Sequence, residues 1–273
     1  MLTVGVRSHD YGKDAPEALF SRIAKDGYQA VMLAYQKAIA GVSSYHDVTP
    51  EIVAQTTAAL RENQLAINTL GVYMELGMVD EAERSKAVAQ FLTGLKVAKE
   101  TGVANVATET TPFHKQPNAA PEDALKSLYR SLEEILPTAQ EYRLKVCVEP
   151  VFYHTLSSPQ LAKQLLKDFA TPWLAITFDP VNLFQPRHVH SQKALWEVCF
   201  DYFGHAIEVV HMKGIRVENG QLKKCGFEDS VIDYPYLFAG LKACRKPLHV
   251  IREEADPHNG KAEAAFLQAL CSE

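Results

Sequence analysis

The sequence predicts a single (β/α)8 barrel, and three observations lead to that prediction. Short apolar runs alternate with long amphipathic segments along the chain, which indicates parallel strands joined by helices. The chain has 273 residues, close to the usual length of one such barrel. No linker rich in Pro, Gly or Ser interrupts it, so residues 1–273 are predicted to form one domain.

Eight apolar runs are the predicted strands. Three of them, the fifth to the seventh, are apolar almost throughout, which is typical of parallel strands buried on both faces. An open, doubly wound sheet is the alternative, but the turn after the first strand (Ser8–Gly12) lacks the glycine pattern of a dinucleotide-binding sheet. The predicted strands are Leu2–Arg7, Ala30–Leu33, Ala66–Leu70, Asn105–Thr108, Lys145–Glu149, Ala175–Asp179, Glu208–His211 and Leu248–Arg252.

The amphipathic segments between these runs are the predicted helices. Pro50 and Pro159 stand in the first turn of two of them, where the missing N–H has no cost. Gly27, Gly102 and Gly204 follow helix ends, where a left-handed residue is expected. The predicted helices are Pro16–Lys25, Pro50–Glu62, Glu81–Thr101, Pro121–Glu134, Pro159–Phe169, Gln192–Phe203, Tyr234–Ala243 and Ala262–Leu270.

Composition narrows the class of protein. A net charge of −5 argues against nucleic acid as a partner, because a phosphate backbone calls for a basic face. We see no secretion signal and no run long enough to span a membrane, so no membrane partner is expected. The five cysteines are scattered, without a C-x-x-C pair, which favours reduced thiols in a cytoplasmic protein.

Four residues of metal-ligand type stand at the ends of four consecutive strands. They are Glu149, Asp179, His211 and either Glu253 or Glu254. The carboxyl ends of barrel strands meet at one mouth, so these side chains are expected to converge there. Three carboxylates would repel one another unless a cation lies among them. The pattern therefore predicts a divalent metal site.

The fourth ligand is open between the two adjacent glutamates, because side chains alternate along a strand. If Glu253 points into the barrel, Leu248 and Val250 face the helices, which is the more sensible partition. If Glu254 points inward, Arg252 does too. The pattern favours Glu253.

Polar residues near these strand ends are candidates for contact with a polyol substrate. Asn182 lies three residues beyond Asp179, and His154 lies in the loop after Glu149. Lys213 and Arg216 follow His211 in the sequence, and Lys213 should share its face of the strand end. We therefore predict substrate-binding roles for Asn182, Lys213, Arg216 and His154.

Three stretches resemble the metal-binding segments of the xylose-isomerase-like TIM-barrel superfamily. They are Val148–Pro150, Phe178–Asn182 and Val209–Gly214. That superfamily includes sugar phosphate isomerases and epimerases, ketose 3-epimerases and inosose-processing enzymes. The resemblance covers the chain in layout, while its specific motifs lie in the second half.

The resemblance implies that Glu149, Asp179, His211 and Glu253 bind the cation, and that Glu149 and Glu253 act as an acid/base pair on the substrate carbon. The sequence departs from the family pattern in three places. The second strand (Val31–Leu33) has no carboxylate, Asn182 stands where the family often has His, and an ungapped match puts Arg252 at the position of the last ligand, leaving Glu254 as the carboxylate.

These features together predict a metal-dependent isomerase or epimerase that acts on a ketose, a sugar phosphate or a related polyol through an enediolate. Mn²⁺ is the expected cofactor, with Mg²⁺, Co²⁺ and Zn²⁺ as alternatives. The expected partner is the small sugar or polyol substrate, and a homodimer or homotetramer is left open.

Three other functions compete with this one. A metal-dependent dehydratase of the inosose type would share the enediolate step and then lose a hydroxyl. A non-catalytic relative would keep the barrel without its activity. An apurinic-site endonuclease would need about twice as many ligands and a basic face, which the acidic chain does not offer.

Overall fold

The computed structural model describes residues 2–272 and shows a closed barrel of eight parallel strands. Strand β1 closes the ring by pairing with β10, with Leu2 opposite Leu248 and Val6 opposite Arg252. The order around the barrel is β1-β10-β7-β6-β5-β4-β3-β2. The predicted fold class is confirmed. The strands are β1 (Leu2–Arg7), β2 (Ala30–Leu33), β3 (Ala66–Gly71), β4 (Asn105–Glu109), β5 (Lys145–Glu149), β6 (Leu174–Phe178), β7 (Ile207–Met212), β8 (Gly214–Glu218), β9 (Gln221–Cys225) and β10 (Leu248–Arg252).

Helices follow the barrel strands and form the outer layer. None of the helices in residues 2–272 has the length and apolar character that a membrane span requires. The helices are α1 (Pro16–Lys25), α2 (Tyr35–Ala38), α3 (Pro50–Glu62), α4 (Glu81–Thr101), α5 (Pro121–Tyr142), α6 (Pro159–Phe169), α7 (Gln192–Phe203), α8 (Tyr234–Ala243) and α9 (Gly260–Ser272).

Local chemistry sets several helix ends. The Ser158 side chain accepts a hydrogen bond from the Leu161 N–H at 3.3 Å and begins α6. Gly102 ends α4 in the left-handed conformation with φ of 80°, and Gly27 follows α1 with φ of 91°. The prediction for Gly204 was wrong: its φ is −53°, because the chain continues from α7 into a short 3-10 turn.

Four elements differ markedly from the prediction, and the bounds of β3, β4, β6, β7 and α9 shift by one or two residues. Helix α5 runs to Tyr142 rather than Glu134, because its buried face continues through Ile135 and Ala139. The antiparallel hairpin of β8 and β9 and the short helix α2 were not predicted. The hairpin and α2 each add structure to a loop that follows a barrel strand, at the carboxyl end of the barrel, where the candidate ligands lie.

The barrel interior and the layer between strands and helices are separate apolar clusters. Ile251 and Val209 face the interior, while their neighbours Val250 and Val210 pack in the larger core against the helices. This alternation decides which residues reach the mouth of the barrel. The buried interior residues that make up the first cluster are Met32, Ala107, Cys147, Ala175, Val209 and Ile251.

Candidate functional site

Glu149, Asp179 and His211 come together at the carboxyl end of the barrel. Glu149 ends β5, Asp179 directly follows β6, and His211 lies at the penultimate position of β7. Each offers one ligand atom, and these atoms lie within 4.8 Å of one another with all three residues buried. Because the three strands are neighbours in the sheet, their ends bring the side chains to one point.

Glu253 faces the same cluster from β10. Its carboxylate is buried, and its Oε2 lies 3.9 Å from His211 Nδ1 and 2.9 Å from Lys213 Nζ. Glu254 instead points to the surface and pairs with Lys224 at 2.6 Å. Arg252 turns toward the helical layer and pairs with Glu263 of α9. The structure thus places Glu253, rather than Glu254, against the cluster, and its role as a ligand stays a prediction.

Two buried atoms at the centre suit a cation. Within residues 2–272, Asp179 Oδ2 lies 2.9 Å from Lys213 Nζ and His211 Nδ1 lies 3.2 Å from Glu149 Oε2, although neither contact has the geometry of a hydrogen bond. The other Asp179 oxygen, Oδ1, accepts the backbone N–H groups of Val181 at 2.7 Å and Asn182 at 3.0 Å, which fixes the carboxylate. A buried carboxylate oxygen and a buried imidazole nitrogen, held beside a further carboxylate, are donors that fit a divalent cation.

The electrostatics of the cluster follow from burial and crowding. Burial raises the pKa of Asp179 to about 7, with Glu149 adding to the effect and Lys213 opposing it. Burial favours the neutral His211 ring, but Glu149 and Glu253 outweigh it and raise its pKa to about 9. Burial acts against the charged form of Glu253 as well, yet Lys213 and His211 hold its pKa well below the ordinary value. A cation would displace the His211 proton.

Two of the predicted substrate-binding residues, Asn182 and Lys213, bind the carboxylates in this structure. Lys213 Nζ lies 2.9 Å from Asp179 Oδ2, 2.9 Å from Glu253 Oε2 and 2.9 Å from Asn182 Oδ1. The Asn182 amide donates to Glu149. These contacts cross-link the side chains from β5, β6 and β10.

The other two predicted substrate-binding residues lie elsewhere. Arg216 stands on β8, half-exposed, and donates to Glu218 at 2.7 Å, so the structure does not bring it to the cluster. His154 is buried in the loop after β5, and its Nε2 lies 3.9 Å from Glu109 Oε2. Glu109 ends β4 beside Glu149, so His154 lies one strand away from the cluster.

Arg7 and Lys37 were missed from the sequence. Arg7 ends β1 and donates to both Glu253 and Asp10, with the Asp10 contact at 2.7 Å. Like the predicted metal ligands, Arg7 is a polar residue at the end of an apolar strand, so the same rule could have identified it. Lys37 belongs to helix α2, which the sequence did not predict.

Comparison with known proteins gives the same fold. A family model described as "Xylose isomerase-like TIM barrel" matches residues 20–270. No curated protein sequence matches the chain significantly. Among solved structures, a D-tagatose 3-epimerase-like protein superposes with a TM-score of 0.79 at 15% identity, over 99% of this chain and 97% of that one.

Two further structures widen the range of similar proteins. Mannonate dehydratase from Streptococcus suis serotype 2 gives a TM-score of 0.76 at 13% identity, over 99% of this chain and 94% of that one. The structure of the IolI protein with a zinc atom gives a TM-score of 0.70 at 14% identity, over 99% of this chain and 98% of that one. At these identities the likeness shows the fold alone. The family model, however, covers most of the sequence, and the chain belongs to the xylose isomerase-like TIM barrel family.

Proposed function

We propose that this chain is a divalent-metal-dependent isomerase or epimerase of a ketose, a sugar phosphate or a related polyol. One observation carries the proposal: Glu149, Asp179 and His211 are buried together at the barrel mouth, with one ligand atom of each within 4.8 Å of the others. Burying such a cluster without a cation is costly.

The four predicted ligands would hold the metal through three carboxylates and one imidazole. Such a donor set suits Mn²⁺ best, with Mg²⁺, Co²⁺ and Zn²⁺ as alternatives, and the zinc in the similar IolI structure supports a divalent ion. The bound cation would supply Lewis-acid stabilisation of negative charge on the substrate oxygens. The ligands are Glu149, Asp179, His211 and Glu253.

Glu149 and Glu253 are the proposed acid/base pair. Their strands, β5 and β10, are separated around the ring by β6 and β7, so the two carboxylates approach the cluster from different sides. Lys213 keeps Glu253 ionised, because the ammonium lies 2.9 Å from its Oε2. One carboxylate would remove the proton next to the substrate carbonyl, and the other would return a proton to the enediolate.

A dehydratase is the second candidate function. The similar structure of mannonate dehydratase favours it, because that protein shares the fold over nearly the whole chain. The first step would be the same removal of a proton, and a hydroxyl would then leave the substrate. Incubation of candidate sugars with Mn²⁺ in D₂O distinguishes the two: mass spectrometry shows deuterium uptake for an isomerase or epimerase and loss of water for a dehydratase.

Metal content tests the proposed site. The purified protein is expected to carry about one divalent cation per chain. The variants Glu149→Gln, Asp179→Asn and His211→Asn should each lose most of it, measured by inductively coupled plasma mass spectrometry. Glu254→Gln is the matched control and should keep the metal, because Glu254 lies at the surface with Lys224. Full occupancy in all three cluster variants would refute the site, whereas an unmodified protein that carries no metal would favour a non-catalytic barrel.

A further inference from the structure

A cavity opens at the barrel mouth beside the candidate metal cluster. Its volume is about 300 Å³, at the lower limit for ligand pockets. Glu109 connects the two, because it ends β4 directly opposite Glu149 in the register of β4 and β5. We call this cavity the side cavity. Its lining includes Lys37, Tyr73, Glu109, Lys115 and His154.

The side cavity also shares its inner wall with the cluster. The Tyr73 hydroxyl lies 4.0 Å from Met32 Sδ, and Met32 Sδ lies 3.3 Å from His211 Nε2. Tyr73, which lines the side cavity, and His211 of the cluster thus contact the same Met32 side chain.

Most cations near the mouth already face a carboxylate. Arg7 pairs with Asp10 and Glu253, Lys213 pairs with Asp179 and Glu253, and Lys115 pairs with Glu75. Arg252 is turned away from the barrel interior and pairs with Glu263. These side chains offer no free cation for a phosphate or carboxylate group.

Lys37 is the exception among the mouth cations in residues 2–272. It has no salt bridge there, and its ammonium lies 4.1 Å from the centroid of the Tyr73 ring. Glu109, however, lines the same side cavity. An anion placed on Lys37 would lie near this carboxylate, whereas a hydroxyl could accept from Lys37 and a second hydroxyl could donate to Glu109.

His154 adds a neutral polar group to the lining. It is buried beside Glu109, with its Nε2 3.9 Å from Glu109 Oε2. Burial also lowers its pKa, so the ring is neutral and can accept or donate a hydrogen bond. A group of this kind suits a hydroxyl better than a charged ligand.

We propose that the side cavity binds the uncharged polyhydroxyl end of the substrate, with Lys37, Glu109 and His154 as its polar contacts. This inference rests on the proposed function and deepens it: the substrate is a neutral sugar or polyol rather than a sugar phosphate or sugar acid. The metal cluster holds the reacting carbons, and the side cavity selects what is attached to them.

The test uses the manganese-loaded full chain and a panel of neutral ketopentoses and ketohexoses, each beside its terminal phosphate ester and the matching sugar acid. Binding is measured by calorimetry, and exchange of the proton next to the carbonyl is followed in D₂O. Neutral sugars are expected to bind more tightly than their charged counterparts. Lys37→Met and Glu109→Gln should each raise KM roughly tenfold and leave kcat much less changed.

Lys126→Met is the matched control, because this lysine lies exposed on α5 beside Asp123, and it should bind the neutral sugars as the unmodified protein does. Tighter binding of the phosphates or the acids overturns the inference, as does failure of every neutral sugar to bind. An unchanged KM in both variants also overturns it. None of these results would overturn the metal site, which the metal content of the cluster variants decides separately.

Discussion

At the scale of the residue, the direction of one strand decides which glutamate joins the site. Ile251 faces the barrel interior and Val250 the helices, so Glu253 continues the inward row and Arg252 the outward one. The sequence favoured this arrangement because it left Leu248 and Val250 in the core. The ungapped family pattern favoured Glu254, and the side-chain directions in β10 argue against it.

We predict different effects of the two adjacent glutamine variants. Glu253→Gln should abolish activity, because it removes a proposed ligand, one member of the proposed acid/base pair and a partner of Lys213. Glu254→Gln should keep metal binding and reduce turnover less, since Glu254 pairs with Lys224 at the surface. Turnover and metal content of both variants check this. If Glu254→Gln proves the inactivating change, the assignment of the fourth ligand is wrong.

A second residue-scale prediction concerns Arg252, which positions the end of β10. Its guanidinium pairs with Glu263, donates to the Glu253 carbonyl and lies 4.6 Å from the centroid of the Phe227 ring. Arg252→Met should lower the free energy of unfolding by about 3–5 kcal/mol, because it leaves the Glu263 carboxylate buried without its partner. Urea denaturation at neutral pH measures this loss.

The Arg252→Met/Glu263→Gln double variant should recover much of the lost stability, since no unpaired charge remains buried. Arg22→Met serves as the control: Arg22 pairs with Asp14 at the surface, where an ion pair contributes little. Equal losses in Arg22→Met and Arg252→Met would contradict the structural role given to Arg252.

At the scale of the element, hydrophobic periodicity predicted the long helices and strands well. The short elements depend on local turn residues, which periodicity does not detect. The hairpin of β8 and β9 turns at Asn219–Gly220, where both residues have positive φ (51° and 73°). Asn-Gly is the pair most typical of such a tight turn, so the hairpin was readable in the sequence. Helix α2 is only four residues long and has no periodicity to detect.

Helix α5 yields an element-scale prediction. Pro137 lies inside this helix on its exposed side, where it removes one backbone hydrogen bond. Pro137→Ala should raise the free energy of unfolding by about 1–2 kcal/mol, because the interior cost of proline exceeds the entropy it removes from the unfolded chain. Pro121→Ala, in the first turn of the same helix, should bring no such gain, since the N–H there is unpaired in any case. Urea denaturation measures the free energy of unfolding of both variants. An equal increase in the two would contradict the role given to the missing hydrogen bond at Pro137.

At the scale of the whole molecule, the sequence predicted which strand ends meet but not how their side chains pair. Closure of the barrel brings Arg7 to Glu253 across almost the full length of the chain. The side cavity forms between loops from different strands. The positions of strand ends in the sequence identify candidate ligands one by one. The Arg7–Glu253 contact and the side cavity, in contrast, exist only because the barrel closes in three dimensions.

The proposed metal should therefore stabilise the barrel as a whole, because its ligands come from four strands and exist together only in the folded chain. At a free concentration of about 100 times its Kd, a ligand specific to the folded state adds about 2.7 kcal/mol. For a barrel of this size that corresponds to a rise in Tm of roughly 5–10 °C. Calorimetric scans with Mn²⁺ and with a chelator measure it. Asp179→Asn should lose the response and Glu254→Gln should keep it, while an identical Tm under both conditions in the unmodified protein would argue that no cation links these strands.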